Sequence, residues 1–351
     1  MQYTTEPQIE EFEFRGSARE WFGVWIVNLF LTIITAGIYS AWAKVRTKKY
    51  FYQNTYVAGR NFDYHATGLQ ILIGRIIMIV AFIAFSIVSA IPLVGLVALL
   101  ALLFIVPFLL IRSFRFNAQM SSWSNVRFRF EGGYVPAFLA FILYPILTAL
   151  TLYLTFPFLD RAVKRFTLNG HSLGGHSFSF DAPIAPFYKA FFAAAAWVVG
   201  MLMIIGSVVF SMIGSIDPVT LAEDPTASVV LIGGIYAMIF IAFFPALTVY
   251  RAFVRNVTLN HLALEGGHEF VSNVQPMTVV WIAISNALIT VLSLGLLLPW
   301  AQVRLYRYLA EHTTLVPNGP LDQFVGQIET RAGAMGDAYT DLEGIDLGLP
   351  V

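Results

Sequence analysis

The chain has no cysteine and little charge: Asp, Glu, Lys and Arg make up 12% of its 351 residues. Without cysteine there are no disulfides, no thiolate metal sites and no cysteine nucleophile, although the redox compartment stays open. The scarcity of charge excludes more. A soluble domain carries about 25% charged residues, so this chain lacks the groups needed to coat a globule of its size. Neither sign is in excess, since Lys and Arg number 21 and Asp and Glu number 21. A nucleic-acid partner therefore has no electrostatic support. The sequence also lacks a nucleophile elbow, a P-loop and a His-Glu-x-x-His zinc motif. We expect no enzyme and no cofactor.

What is present is apolar. The sequence is 58% hydrophobic with a mean hydropathy of +0.71, and the excess lies in runs of the length that a helix needs to cross a bilayer. Seven segments stand out, at 21–43, 69–89, 93–111, 134–159, 187–210, 228–250 and 276–300. The fold class expected is an all-α polytopic membrane protein, with about seven hydrophobic segments, internal repeats and short β-hairpin-like connections. Residues 1–20 read as an acidic N-terminal segment, 21–319 as a repeat-built transmembrane domain and 320–351 as an acidic, flexible C-terminal tail. The acidic start (Glu6, Glu10, Glu11, Glu13) is the reverse of a signal peptide's basic one, so the first helix is expected to be retained.

Repetition supports this organisation. Asn28, Thr32, Thr35, Gly37, Trp42, Ala43, Val45, Arg46, Tyr50 and Thr55 match Asn286, Thr290, Ser293, Gly295, Trp300, Ala301, Val303, Arg304, Tyr308 and Thr313 at one constant offset. Phe12–Gly16 and Phe128–Gly132 are nearly the same word before segments one and four. Each apolar run closes on an aromatic or proline residue. Basic pairs then follow at helical spacing: Arg46/Lys49, Arg112/Arg115, Arg161/Arg165, Arg251/Arg255 and Arg304/Arg307. Tyr56–His65, Val126–Phe130 and Ser177–Phe180 alternate like short strands beside glycine turns.

The Phe-x-Phe-x-Gly entry, the Gly37…Trp42-Ala-Lys-Val-Arg46 run and the Tyr50…Thr55 continuation resemble the bacterial YjgN family of inner-membrane proteins. The resemblance covers residues 12–319. It implies a multi-pass protein of the bacterial inner membrane, and it supplies no catalytic or transport residues.

Two topologies fit the charges. If all seven segments cross, the basic connections divide between the two sides. If segments one, four and seven are re-entrant, every basic stripe faces the cytoplasm, as the positive-inside rule prefers. Segment length favours seven crossings, and both topologies place the C-terminus in the cytoplasm.

Three groups of residues are candidates for function. Asn28, Asn286 and Arg75 are polar within apolar segments. The asparagines could line a solute path or join helices, and Arg75 can reach the interface as an anchor. Arg46, Lys49, Arg112, Arg115, Arg304 and Arg307 form basic stripes suited to anionic lipid headgroups. Trp42 and Trp300 read as interface anchors. The histidine pairs His171/His176 and His261/His268 have unequal spacing and sit at equivalent turns, so no metal site is expected. Asp160, beside Arg161 at the end of segment four, is read as forming a local ion pair. The lipid bilayer, including anionic lipids, is the expected partner. Membrane organisation or anionic-lipid binding is the leading function, with a small-solute transporter or channel as the alternative.

Overall fold

A computed structural model describes residues 9–215, 225–321, 323–328 and 330. The sequence readings for Glu6 and for the tail beyond residue 330 lie outside the described residues. The chain folds as five consecutive units, each a strand, an outgoing helix, a return helix and a second strand. Unit one is β1 (Glu10–Phe14), helices Ala18–Ile34 and Ser40–Gln53, and β2 (Thr55–Val57). Unit two is β3 (Arg60–Tyr64), helices Gly68–Ser89 and Pro92–Gln119, and β4 (Ser121–Trp123). Unit three begins with β5 (Val126–Phe130). Its outgoing helix runs Tyr134–Phe138, a π-helical stretch Leu139–Leu143 and Tyr144–Leu150, and it returns through Phe156–Asn169 to β6 (His171–Leu173). Unit four is β7 (His176–Phe180), helices Ala185–Ser215 and Pro225–Leu259, and β8 (Leu262–Leu264). Unit five is β9 (His268–Ser272), helices Pro276–Leu292 and Leu298–Glu311, and β10 (Thr313–Val316).

The ten strands form one closed antiparallel barrel in the order β1-β10-β9-β8-β7-β6-β5-β4-β3-β2. This corrects the expected all-α class, and it joins the strand-like connections into a single sheet. Within every unit the register is the same: Phe12 faces Val57, Phe62 faces Trp123, Phe128 faces Leu173, Phe178 faces Leu264 and Phe270 faces Leu315. Strand residues alternate in direction, so these pairs point inward and form the barrel core, while Glu11, Glu13, Arg127, Ser177 and Glu269 occupy the alternate positions. Two-residue turns join the first four units where the backbone turns left-handed, at Ala58-Gly59, Ser124-Asn125 and Gly174-Gly175. Pairing of β10 with β1 (Glu10 to Leu315, Glu11 to Thr314) closes the barrel without a covalent link.

The helices form a ring on one end of the barrel. Each outgoing helix packs on the return helix of its own unit and on that of the preceding unit, and unit one's packs on unit five's. Seven crossings are corrected: among the described residues four helices are long and apolar enough to span a membrane, Gly68–Ser89, Pro92–Gln119, Ala185–Ser211 and Ile232–Leu259. These are the long hairpins of units two and four. The solitary segments 21–43, 134–159 and 276–300 fold back on themselves in their second half, at 35–39, 151–155 and 293–297. The three turns have one geometry: Gly37 N–H donates to Thr32 O, Tyr153 N–H to Thr148 O and Gly295 N–H to Thr290 O, each at 2.8 Å. Ala36/Gly37, Leu152/Tyr153 and Leu294/Gly295 all have positive φ. The outgoing helices of units one and five, each 17 residues, extend about 25 Å at 1.5 Å per residue, short of a hydrocarbon core of about 30 Å.

Residues 321–330 are helical at every described position. They seat Phe324, Val325 and Ile328, all buried, in the mouth of the barrel at the hairpin-turn end. The fit is close: a Cβ on Gly174 would lie 2.5 Å from Ile328 Cβ.

Candidate functional site

Both ends of every helical hairpin return to the barrel, which gathers the polar residues at one end of the molecule. No Lys or Arg occurs in 76–111 or 190–250, the stretches that form most of the two long hairpins. The basic stripes therefore sit on the return helices, close to the barrel. Arg46, Lys49, Arg112 and Arg115 are exposed, and the Arg46 guanidinium lies 5.7 Å from the centre of the Tyr39 ring. Arg304 and Arg307 are placed differently. They line a cavity of about 530 Å³ where unit five meets unit one, walled by Trp281, Trp300 and Tyr308 with Glu311 at its edge. Arg304 donates to Ser285 Oγ at 2.7 Å and to Asn286 Oδ1 at 3.3 Å, and lies 5.2 Å from the Trp300 ring centre. Arg307 donates to Gly16 O at 2.8 Å. The Trp300 side of this cavity thus combines an aromatic wall with two guanidinium groups. Trp42, its counterpart in unit one, is half-buried, stacked on Tyr39 at 6.0 Å and packed against Gly68.

The two midsegment asparagines do not meet. Asn286 Nδ2 donates to Ala301 O at 2.9 Å, bridging the two helices of its own unit. Asn28 is buried, and among the described residues neither its Oδ1 nor its Nδ2 has a hydrogen-bond partner. Arg75 donates to Ser40 Oγ at the start of unit one's return helix, so it ties the second unit to the first. Asp160 pairs with Lys164 at 2.6 Å and accepts from Tyr250 at 2.8 Å, while Arg161 reaches Asp181 at 3.4 Å. Asp160 thus forms a local ion pair with Lys164 on its own helix, and its bond to Tyr250 is the contact that crosses to another helix.

A second space lies inside the molecule, where the barrel meets the helical ring. It has a volume of about 590 Å³ and is lined mainly by apolar residues, among them Phe12, Phe62, Phe128, Phe178 and Phe270, one from each unit. Arg255, Tyr306, Asn117 and Thr313 gather at its helical end. At the other end, Phe324 of the terminal helix sits 4.2 Å from the His268 ring and 5.1 Å from the His176 ring. His268 Nδ1 accepts from the Asn318 backbone N–H at 3.2 Å. Burial, followed by the nearby His176, holds the His268 pKa below its ordinary value. The histidines thus group across units rather than within hairpins. His171 lines the chamber with its pKa lowered by burial, whereas His261 is exposed. Among the described residues no three His, Cys, Asp or Glu side chains cluster as metal ligands would.

The sequence reading missed this chamber and took Arg255 only as half of a basic pair. A signal was available in the recurring pattern Phe12-x-Phe14, Phe62-x-Tyr64, Phe128-x-Phe130 and Phe178-x-Phe180, of which only two copies had been connected.

Comparison with known proteins agrees with the expected family. Inner membrane protein YjgN of Salmonella typhimurium (strain LT2) is 24% identical over 353 residues, covering 88% of this chain and 88% of that protein. Inner membrane protein YjgN of Escherichia coli (strain K12) is 33% identical over 122 residues, 34% of this chain and 31% of that protein. The protein of the same name from Escherichia coli O157:H7 is 30% identical over 122 residues, 34% of this chain and 31% of its own length. No solved structure matches. A family profile described as bacterial protein of unknown function (DUF898) matches residues 9–342. With nearly the whole chain matched, this inner-membrane protein belongs to the DUF898 family.

Proposed function

We propose that the protein binds anionic lipid in the membrane leaflet next to its barrel and organises that leaflet around its helical ring. The observation that carries this reading is the cavity holding Arg304 and Arg307 against Trp281 and Trp300. Guanidinium groups recognise phosphate in a planar, two-pronged way, and tryptophan rings suit the headgroup level. Each basic residue near an anionic surface contributes about 1 kcal/mol, so the exposed stripes of units one and two add attraction without adding a pocket. Cation-free far ends on the long hairpins support a cytoplasmic barrel and a cytoplasmic C-terminus under the positive-inside rule. The common register of the five units supports their descent from one repeated strand–helix–helix–strand element.

A solute conduit has less support. Asn28 and Asn286 belong to separate helix contacts, and the strong contacts of the two long hairpins are with their ring neighbours. The role proposed is binding rather than catalysis, and no nucleic-acid partner is proposed. The test is native mass spectrometry of protein purified in a mild non-ionic detergent. Replacing Arg46/Lys49, Arg112/Arg115 and Arg304/Arg307 by Gln should reduce retained anionic phospholipid, with the Arg304/Arg307 pair accounting for the larger share. Gln keeps good helix propensity, so the fold should survive. Unchanged retention in a correctly inserted variant would reduce the stripes to topology signals.

A further inference from the structure

The chamber inside the barrel contains a charge that the fold does not compensate. Arg255, on the last turns of unit four's return helix, makes three hydrogen bonds, all to neutral oxygens: Thr313 Oγ1 at 3.0 Å, Leu309 O at 3.1 Å and Ser272 Oγ at 3.2 Å. Among the described residues no carboxylate lies within ion-pair distance of it. Withdrawing a cation from water without a counter-ion is costly. Here the guanidinium forms part of the wall of a space whose other surfaces are mostly aromatic and aliphatic. A planar guanidinium matches a carboxylate in geometry as well as charge. The rest of the chamber asks for the opposite chemistry. The five phenylalanines surround an apolar interior, and the terminal helix closes its far end with Phe324 and Leu321. A volume of about 590 Å³ falls within the range of small-ligand sites, about 300–1,000 Å³.

We propose that the barrel chamber binds one long-chain fatty acid. Its carboxylate rests on Arg255 at the membrane-facing end, and its hydrocarbon chain runs between the five phenylalanines toward Phe324. Binding gives the guanidinium its counter-ion and fills the apolar space with matching surface, so acid and chain are recognised by separate parts of the wall. This site is distinct from the Arg304/Arg307 cavity and does not depend on it.

The test uses the full-length protein in non-ionic detergent, with palmitate and cetyl alcohol as probes that share a chain and differ in charge. Native mass spectrometry should find one palmitate per chain. Arg255→Gln should weaken palmitate at least tenfold while leaving cetyl alcohol within about twofold, and Arg255→Lys should recover part of the loss. These fold-changes follow from losing one charge-assisted hydrogen bond. Leu264→Trp, which fills the chamber from β8, should exclude both probes, and Leu173→Phe provides a milder filling if the larger side chain unfolds the barrel. Thermal melting of each variant separates lost binding from lost fold. The proposal is overturned if folded wild-type protein binds no palmitate, if Arg255→Gln binds palmitate as wild type does, or if a folded chamber-filling variant still binds both probes. Anionic phospholipid retained by the Arg255 variants reports separately on the Arg304/Arg307 site.

Discussion

Single residues carry two clear predictions. His268 accepts the Asn318 N–H on Nδ1 and packs on Phe324, so the fold requires its neutral form. Its folded pKa is depressed by burial, and so is that of His171. The unfolded chain then binds more protons than the native one below the ordinary histidine pKa of about 6.5. This stabilisation is complete above that pH and is lost as the pH falls from it through the lower folded-state pKa. Melting in detergent should therefore occur at lower temperature at pH 5 than at pH 7.5, and His268→Asn should flatten the difference. The second prediction concerns the asparagines. Asn28 is buried with neither side-chain polar atom paired among the described residues, whereas Asn286 bonds Ala301 O and Arg304. Asn28→Leu should leave stability unchanged or raise it by about 1–2 kcal/mol, while Asn286→Leu should lower it by about 1–3 kcal/mol. Denaturation of the two variants side by side checks the contrast. The sequence marked these residues as equivalent. Their difference arises from which neighbour reaches each amide, and that depends on tertiary contacts between units.

Among the elements, the helices were easier to read from sequence than their turns. The apolar runs of segments one, four and seven continue through the turn residues, for example Ala36-Gly37-Ile38 and Leu294-Gly295-Leu296, so composition alone joins two helices into one. Gly37 and Gly295 with positive φ were the available warning, but unit three uses Tyr153 in the same place. The strands were visible as short alternating words. Their closure into a barrel was not, because partners such as β1 and β10 lie at opposite ends of the chain and no local pattern encodes their pairing. The terminal helix was similarly hidden, since Phe324, Val325 and Ile328 are few apolar residues in a polar, Gly-containing segment. Ile328→Ala should cost about 2–5 kcal/mol by opening a buried cavity. Gly174→Val should displace the same helix, because its Cβ would meet Ile328 and its φ is +56°. Faster limited proteolysis between residues 317 and 330, with the barrel intact, is the expected readout for both.

At the scale of the whole molecule, the account rests on closure. Five units bring both ends of every hairpin to one face, where the barrel, the cations and the two candidate sites lie together. Composition and periodicity made the membrane class and the basic stripes legible, but the single-sided arrangement depends on three short hairpins that fold back to the barrel. The most direct test exploits the absence of cysteine. Single cysteines at positions 59, 124, 175, 266 and 91 can be probed in intact cells with a membrane-impermeant thiol reagent. The account predicts that positions 59, 124, 175 and 266, all at barrel turns, share one side, and that position 91, at the far end of the unit-two hairpin, labels from the other. Finding 175 and 266 on the side opposite 59 and 124, as seven crossings would require, would contradict it.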